Sequence, residues 1–179
     1  PTVTAIMQAR MGSSRLPGKV LKTVSGKTFL EHSFERLLQS KSIDHCIIAT
    51  TTEPADDAIV ELATHRKWNC YRGSETNVLD RYYQTALKYP SDIIVRVTSD
   101  CPLLDPEIID LAVNTLIDNI NYTDYASNTL PPRTYPRGLD VEAFTFKSLK
   151  QAWQKATDLP HLEHVTPYIN SQPEIFNSI

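Results

Sequence analysis

Residues 3–19 read VTAIMQARMGSSRLPGK, and the change of character in the middle of that string decides the fold class. Residues 3–9 carry no charge and are mostly apolar, the pattern of a short buried strand. Residues 10–19 then hold Arg10, Arg15 and Lys19 with Ser13, Ser14, Gly12 and Gly18, a polar loop entered directly from that strand. Beyond it, Phe29, Leu30, Phe34, Leu37 and Leu38 recur at helical spacing over residues 28–39. Strand, polar loop and helix in that order form the opening unit of an α/β fold.

The alternation continues along the chain. Residues 44–50 (DHCIIAT), 68–72, 91–98 (SDIIVRVT) and 138–146 read as strands. Pro54 starts a helix with Ala58, Ile59, Leu62 and Ala63 on its apolar face, and residues 78–87 form another that ends near Pro90. Asp105 reads as an N-cap ahead of Pro106, opening a helix as far as Asn119. Residues 121–136, rich in Asn, Pro, Thr and Tyr, read as irregular, and residues 147–157 and 161–171 as helices. Short connections between these elements imply βαβ units and a mostly parallel sheet. Ligands of such sheets sit beyond the carboxyl ends of the strands, so the loops after Ala9, Thr50, Arg72 and Thr98 are expected to open on one edge.

The length of 179 residues suits a single domain spanning 1–179. Residues 175–179 read as a further strand, so the domain is expected to be either shortened at that side or a short example of its kind. A net charge of −3 and a pI of about 6.0 give no general attraction to nucleic acid or to an anionic membrane. No apolar run approaches the roughly 20 residues that span a bilayer. The first residues lack a basic segment followed by a signal-type apolar stretch, so a cytoplasmic location is expected. Cys46, Cys70 and Cys101 are odd in number and far apart, which fits reduced thiols rather than disulfides or a zinc site.

The loop at residues 10–19 is the strongest chemical signal. Glycines let backbone N–H groups close on an anion, arginines bind phosphate oxygens in pairs, and Lys19 adds a compact charge. So many cations on one short loop repel one another unless an anion lies between them; a solvated basic turn is the alternative. Two familiar phosphate loops do not fit. Gly26-Lys27-Thr28 ends like a Walker A loop, but Leu21 stands where its first glycine belongs, and no G-x-G-x-x-G is present. Asp100 ends a strand, where it could hold a divalent cation or cap a turn. Asp140 and Glu142 lie two apart on an expected strand and so share a face. They could bind a metal or pair with Arg133 or Arg137. Asp80 and Arg81 open a helix facing the same edge or form a surface ion pair.

The string IMQARMGSSRLPGKVL resembles the opening of the cytidylyltransferase-like family of spore-coat polysaccharide biosynthesis protein F, related to the CMP-KDO and CMP-acylneuraminate synthetases. The likeness continues through IATTTEPADD, YRGSETNVLDRYY, RVTSDCPLLDPEIID, YPRGLDVEAF and EHVTPYI, in order and over almost the whole chain.

The resemblance implies a three-layer, Rossmann-like nucleotide-diphospho-sugar transferase (GT-A-like) fold with a mostly parallel central sheet. It implies a nucleotidyltransferase that joins an NTP, CTP in the first place, to a sugar or sugar acid and releases pyrophosphate with Mg²⁺. Arg10, Gly12, Ser13, Arg15 and Lys19 would then cradle the triphosphate, with Arg72, Ser74 and the threonines at residues 50–52 near base and ribose. Arg15, Lys19 and Asp100 would carry catalysis, Asp100 and Asp140 the metal, and Arg133, Arg137, Glu142 and His164 would border the acceptor. Neither nucleic acid nor membrane is an expected partner. A homodimer is compatible with the resemblance, with residues 121–136 as an interface arm. A sugar 1-phosphate nucleotidyltransferase, a glycosyltransferase on the same fold and a non-catalytic nucleotide-binding module are the alternatives.

Overall fold

The computed structural model describes residues 1–13 and 16–179, among which eight strands and seven α-helices form. In chain order they are β1 Val3–Gln8, β2 Thr23–Val24, β3 Lys27–Thr28, α1 Phe29–Leu37, β4 His45–Thr51, α2 Asp57–His65, β5 Asn69–Gly73 and α3 Val78–Lys88. Then follow β6 Ile93–Thr98, α4 Pro106–Asp118, β7 Tyr125–Ser127, β8 Glu142–Thr145, α5 Phe146–Lys155, α6 Leu159–His164 and α7 Pro167–Asn170.

Six strands make one sheet in the order β5-β4-β1-β6-β8-β7. The first four are mutually parallel, while β8 runs antiparallel to β6 and β7 antiparallel to β8. The sheet is therefore mostly parallel, as the alternation predicts. Helices cover both faces, which is why β1 is apolar almost throughout. On one face Ala5, Met7, Ile48, Val95 and Val97 pack with Leu30, Phe34, Ile59, Ile109 and Val113 of α1, α2 and α4. On the other, Ile6, Ala49, Ile94 and Phe144 pack with Leu79, Tyr82, Leu149 and Ile169 of α3, α5 and α7.

Local chemistry sets the helix starts. Thr28 Oγ1 accepts the Glu31 N–H at 3.1 Å and Glu31 Oε2 accepts the Thr28 N–H at 2.7 Å, a reciprocal cap that opens α1. Asp105 Oδ1 accepts the Glu107 N–H at 2.9 Å, with Pro106 at the first helical position of α4. Gly26-Lys27 belongs to a hairpin turn: Ser25 and Gly26 take φ of 50° and 80° between β2 and β3.

Four sequence expectations are corrected. The strand expected over residues 138–146 pairs only from Glu142 onward, so Asp140 stands in a loop and not on a strand face beside Glu142. The Asn128 side chain explains this, because its amide donates to the Leu139 carbonyl at 2.7 Å and accepts the Val141 N–H at 3.0 Å. A side chain thus occupies the backbone groups a strand would have paired. Residues 121–136 contain β7, which is too short for a periodic signal. The helix expected over residues 161–171 breaks at Val165, whose φ is 70°, and restarts at Pro167. Residues 175–179 form only a single bridge, Tyr125 with Ser178, flanked by reciprocal bonds of Ile179 with Tyr125 and Ser127 at 3.0 Å.

All three cysteines are free thiols. No helix among the described residues is long and apolar enough to cross a membrane.

Candidate functional site

The loops after β1, β4, β5 and β6 emerge together at one edge because those strands are parallel. The loop after β1 is folded on itself around the Met11 carbonyl, which accepts the N–H groups of Ser13 at 3.0 Å and Gly18 at 2.9 Å. Gly18 takes φ of 66°, a conformation that suits glycine. Gly12 is exposed, and a Cβ there would meet open space, so backbone on that side of the loop is free to approach a ligand. Arg10 is exposed. Arg15, the other expected arginine, lies outside the described residues.

Asp56 fixes this loop to its neighbour. It is 2% exposed, accepts the Met11 N–H at 2.7 Å, and also takes the Thr51 hydroxyl and backbone N–H. One buried carboxylate therefore joins the end of β4 to the loop after β1.

Lys19 reaches across to the end of β6, where its Nζ lies 3.1 Å from Asp100 Oδ2. Thr98 donates its hydroxyl to Asp100 Oδ1 at 2.8 Å. Burial pushes the Asp100 carboxyl up, but the bonds from Thr98 and Lys19 and the Lys19 charge outweigh it and hold the group below the usual carboxylate range. Beneath the turn, Ser33 of α1 donates to the Ser99 carbonyl at 3.2 Å and Arg36 to the Leu104 carbonyl, so α1 carries the Asp100 loop.

Asp140 makes a two-pronged pair with Arg133, at 2.8 Å and 2.7 Å. It stands toward the same end of β6 as Asp100, because β8 runs antiparallel to β6 with Glu142 opposite Arg96 and Asp140 lies two residues before Glu142. The two carboxylates singled out in the sequence thus lie toward the same end of β6, and each already has a cation for a partner.

Other expected site residues are placed differently. Arg72 is committed to protein, donating to the Thr51 and Glu53 carbonyls at 2.8 Å and 2.9 Å and pairing with Asp57 at 2.6 Å. Ser74 accepts the Asn77 N–H at 3.0 Å ahead of α3. Glu142 is buried, holding Arg96 on one oxygen and the hydroxyls of Tyr125 and Thr166, each at 2.6 Å, on the other. Arg137 and His164 are exposed, and among the described residues no hydrogen bond or ion pair ties either to Asp100 or Asp140.

Arg81 corrects the surface-pair reading: it is 1% exposed and donates to the carbonyls of Ser74, Ala49 and Glu75 at 2.9 Å, 3.3 Å and 3.3 Å. Asp80 turns instead to Gln84 and to the Trp153 indole. Gly73 lies against the Arg81 stem, so the turn after β5 wraps a buried guanidinium.

The sequence reading does not single out Asp56 or Arg96, and it gives Arg81 only as opening a helix toward this edge or as half of a surface pair. Two left a signal. Arg96 is the lone charge inside IIVRVT, and Arg81 falls on the helix face of Val78, Tyr82 and Thr85. Asp56 left none, because nothing local distinguishes it from the neighbouring Asp57.

A family model described as cytidylyltransferase matches residues 4–179. A protein of Methanocaldococcus jannaschii is 44% identical over 174 residues, which make up 97% of this chain and 69% of that protein. Spore coat polysaccharide biosynthesis protein SpsF of Bacillus subtilis is 32% identical over 96% of this chain and 71% of its own length. The solved structure of a cytidylyltransferase from Leptospira borgpetersenii superposes with a TM-score of 0.93 at 37% identity, covering 99% of this chain and 74% of that one.

Proposed function

The chain belongs to the cytidylyltransferase family, and from that premise we propose that it transfers the cytidylyl group of CTP to a sugar or sugar acid, releasing pyrophosphate, in surface polysaccharide biosynthesis. The observation that carries this reading is the Lys19–Asp100 pair, which sets a phosphate-type cation against a metal-type carboxylate where two loops meet.

The two side chains are 33% and 48% exposed, so the pair itself contributes only about 0–1 kcal/mol. A triphosphate entering the loop offers Lys19 several oxygens in place of one carboxylate. Lys19 then turns to the phosphates, together with Arg10 and Arg15, and Asp100 is released. Arg133 and Asp140 stand in the same relation on the acceptor side.

Mg²⁺ takes one or two carboxylates and fills its shell with phosphate oxygens and water. Asp100 and Asp140 fit that demand, and no group of three or more candidate ligands occurs among the described residues. Asp100 and Asp140 would hold the ion, which when bound would supply neutralisation of phosphate charge. The remaining work is positioning. The loop after β1 holds the triphosphate so that an acceptor oxygen meets the α-phosphorus in line. The new P–O bond forms as the bond to pyrophosphate breaks, and Lys19, with Arg15 in the role the family resemblance gives it, would answer the charge that develops on the leaving group.

The test couples calorimetric titration of CTP with Mg²⁺ to an assay of pyrophosphate release across a panel of sugar acids. Lys19→Ala is expected to weaken CTP by about 1.5–3 kcal/mol while the fold is kept. Asp100→Asn is expected to slow pyrophosphate release on the order of 100-fold. CTP affinity unchanged in Lys19→Ala overturns the reading. Tight binding of a nucleotide sugar with no NTP bound would point to a glycosyltransferase.

A further inference from the structure

Arg96 is the single charged residue of β6 and stands on the sheet face that packs against α3 and α7. Its side chain is 16% exposed, so most of a cation has been taken out of water just below the ligand edge. One nitrogen, Nη1, donates to Glu142 Oε2. Three donors hold the carboxylate, because its other oxygen receives the hydroxyls of Tyr125 and Thr166, and Asn170 Nδ2 lies 3.5 Å behind Tyr125.

The guanidinium is not saturated. Its Nε is buried with no hydrogen-bond partner, and among the described residues its side chain bonds to Glu142 alone. A pair built only for stability would be expected to fill both partners, since an unfilled buried donor costs about 1–3 kcal/mol. Here the anion is locked by three donors and the cation keeps donors to spare.

Its neighbours place Arg96 relative to the candidate site. Thr98, two residues on and on the same face of β6, carries Asp100 at the end of its hydroxyl bond. Successive residues on one strand face lie about 6.5–7 Å apart. Gln8 ends β1 beside Thr98, with its Oε1 accepting from Tyr82 at 3.3 Å. Arg96 thus lies one step beneath the Asp100 corner, on the side of the sheet where β8 begins.

We propose that Arg96 binds an oxyanion of the acceptor, a carboxylate or a phosphate, and that Glu142, Tyr125 and Thr166 are positioning residues that hold its guanidinium plane. A planar fork matches such an anion in a way a hydroxyl does not. The identity of the second substrate rests on the cytidylyl-transfer reading, whereas the anion contact rests on the Arg96 geometry.

Arginine Nε–H signals are followed in ¹⁵N-labelled protein holding a methylene-bridged CTP analogue that cannot turn over. The Arg96 signal is assigned through its correlations to the β6 backbone. Separate titrations use 3-deoxy-manno-octulosonate, glucose 1-phosphate and neutral glucose. One of the two anions is expected to move the Arg96 signal and glucose to leave it still, and the responding anion names the source of the charge. Arg96→Lys is expected to weaken that anion at least about tenfold and to leave the CTP analogue within about twofold. If neither anion moves the signal, or Arg96→Lys binds the anion as tightly as before, the proposal is overturned. A purely structural Arg96 would lower the melting temperature without either response. If Arg96→Lys does not fold, the contrast between anions and glucose in the unaltered protein decides. Should the CTP analogue fail to bind while an anion still moves Arg96, the proposal stands and the cytidylyl-transfer reading falls.

Discussion

The two faces of the sheet are built from alternate residues of the same strands, yet they end differently. Under α1, α2 and α4 the packing is apolar toward the carboxyl edge through Met7, Ala9 and Val97 to Val20 and Leu104, with the small hydroxyls of Thr50, Ser33 and Ser99 and the Asp56 carboxylate buried there. Under α3, α5 and α7 the apolar layer of Ile6, Ile94 and Phe144 gives way one step later to Gln8, Arg96 and Glu142, joined by Arg81 from α3. Because side chains alternate with period two, β1, β6 and β8 each give one side to cohesion and the other to polar groups near the ligand edge. The apolar core residues of the first face should answer to mutation only in stability, the polar residues of the second in both stability and binding.

The largest expected effect tests the apolar face. Phe34 is fully buried, with its ring centroid 4.6 Å from that of Trp68, and Phe34→Ala is expected to cost about 3–5 kcal/mol in denaturant unfolding. CTP affinity, measured well below the unfolding transition, is expected to stay unchanged. A large loss of affinity would erase the contrast between the faces.

Gly73→Ala probes the polar face with a smaller effect. Its Cβ would lie 2.9 Å from Arg81 Cγ and 3.1 Å from Tyr71 Cε1, inside a turn that wraps the buried guanidinium. A stability loss of about 1–3 kcal/mol is expected, together with weaker CTP binding. Loss of stability with affinity intact would assign that turn to cohesion alone.

The smallest effect is electrostatic. Asp100 has a folded carboxyl below its usual range, so its stabilising contribution is complete above the unfolded pKa and is lost as pH falls through the lower folded one. Thr98→Val removes one of the bonds that lower it, so the Asp100 titration followed by carboxyl ¹³C shifts is expected to move to higher pH. A midpoint that does not move would show that Lys19 alone sets it.

The fold was legible wherever a local pattern had a local cause. Residues 3–9, the Asp105-Pro106 cap and the helical spacing of Phe29, Phe34 and Leu37 depend on neighbours within a turn or two, and each forms as expected. The failures share the opposite property. Leu139 and Val141 leave the strand because Asn128 intercepts them, and the last helix breaks at Val165, next to the Thr166 hydroxyl that reaches Glu142. Both depend on partners far off in sequence. The candidate site divides in the same way. Lys19, Asp100 and Asp140 stand out by residue type and position; the fold pairs Lys19 with Asp100 and gives Asp140 to Arg133. Arg72 and Glu142 have equally suggestive types but spend their polar atoms on protein, which only the tertiary structure reveals. Asp56 works through a backbone N–H, a partner without any side-chain signature.

The position of β1 at the centre of the sheet has a consequence for how the protein reaches this state. Its partners β4 and β6 begin at His45 and Ile93, so its second edge is completed only by a contact spanning some 90 residues, as the Thr2–Asp92 bond records. Pairing at such separation is slow compared with helix formation. Until β6 arrives, the uncharged VTAIM segment presents an open strand edge of the kind that recruits other chains. Refolding yield should therefore fall with protein concentration, and charge introduced at the lip of β1 should suppress aggregation during refolding more than it alters the finished fold.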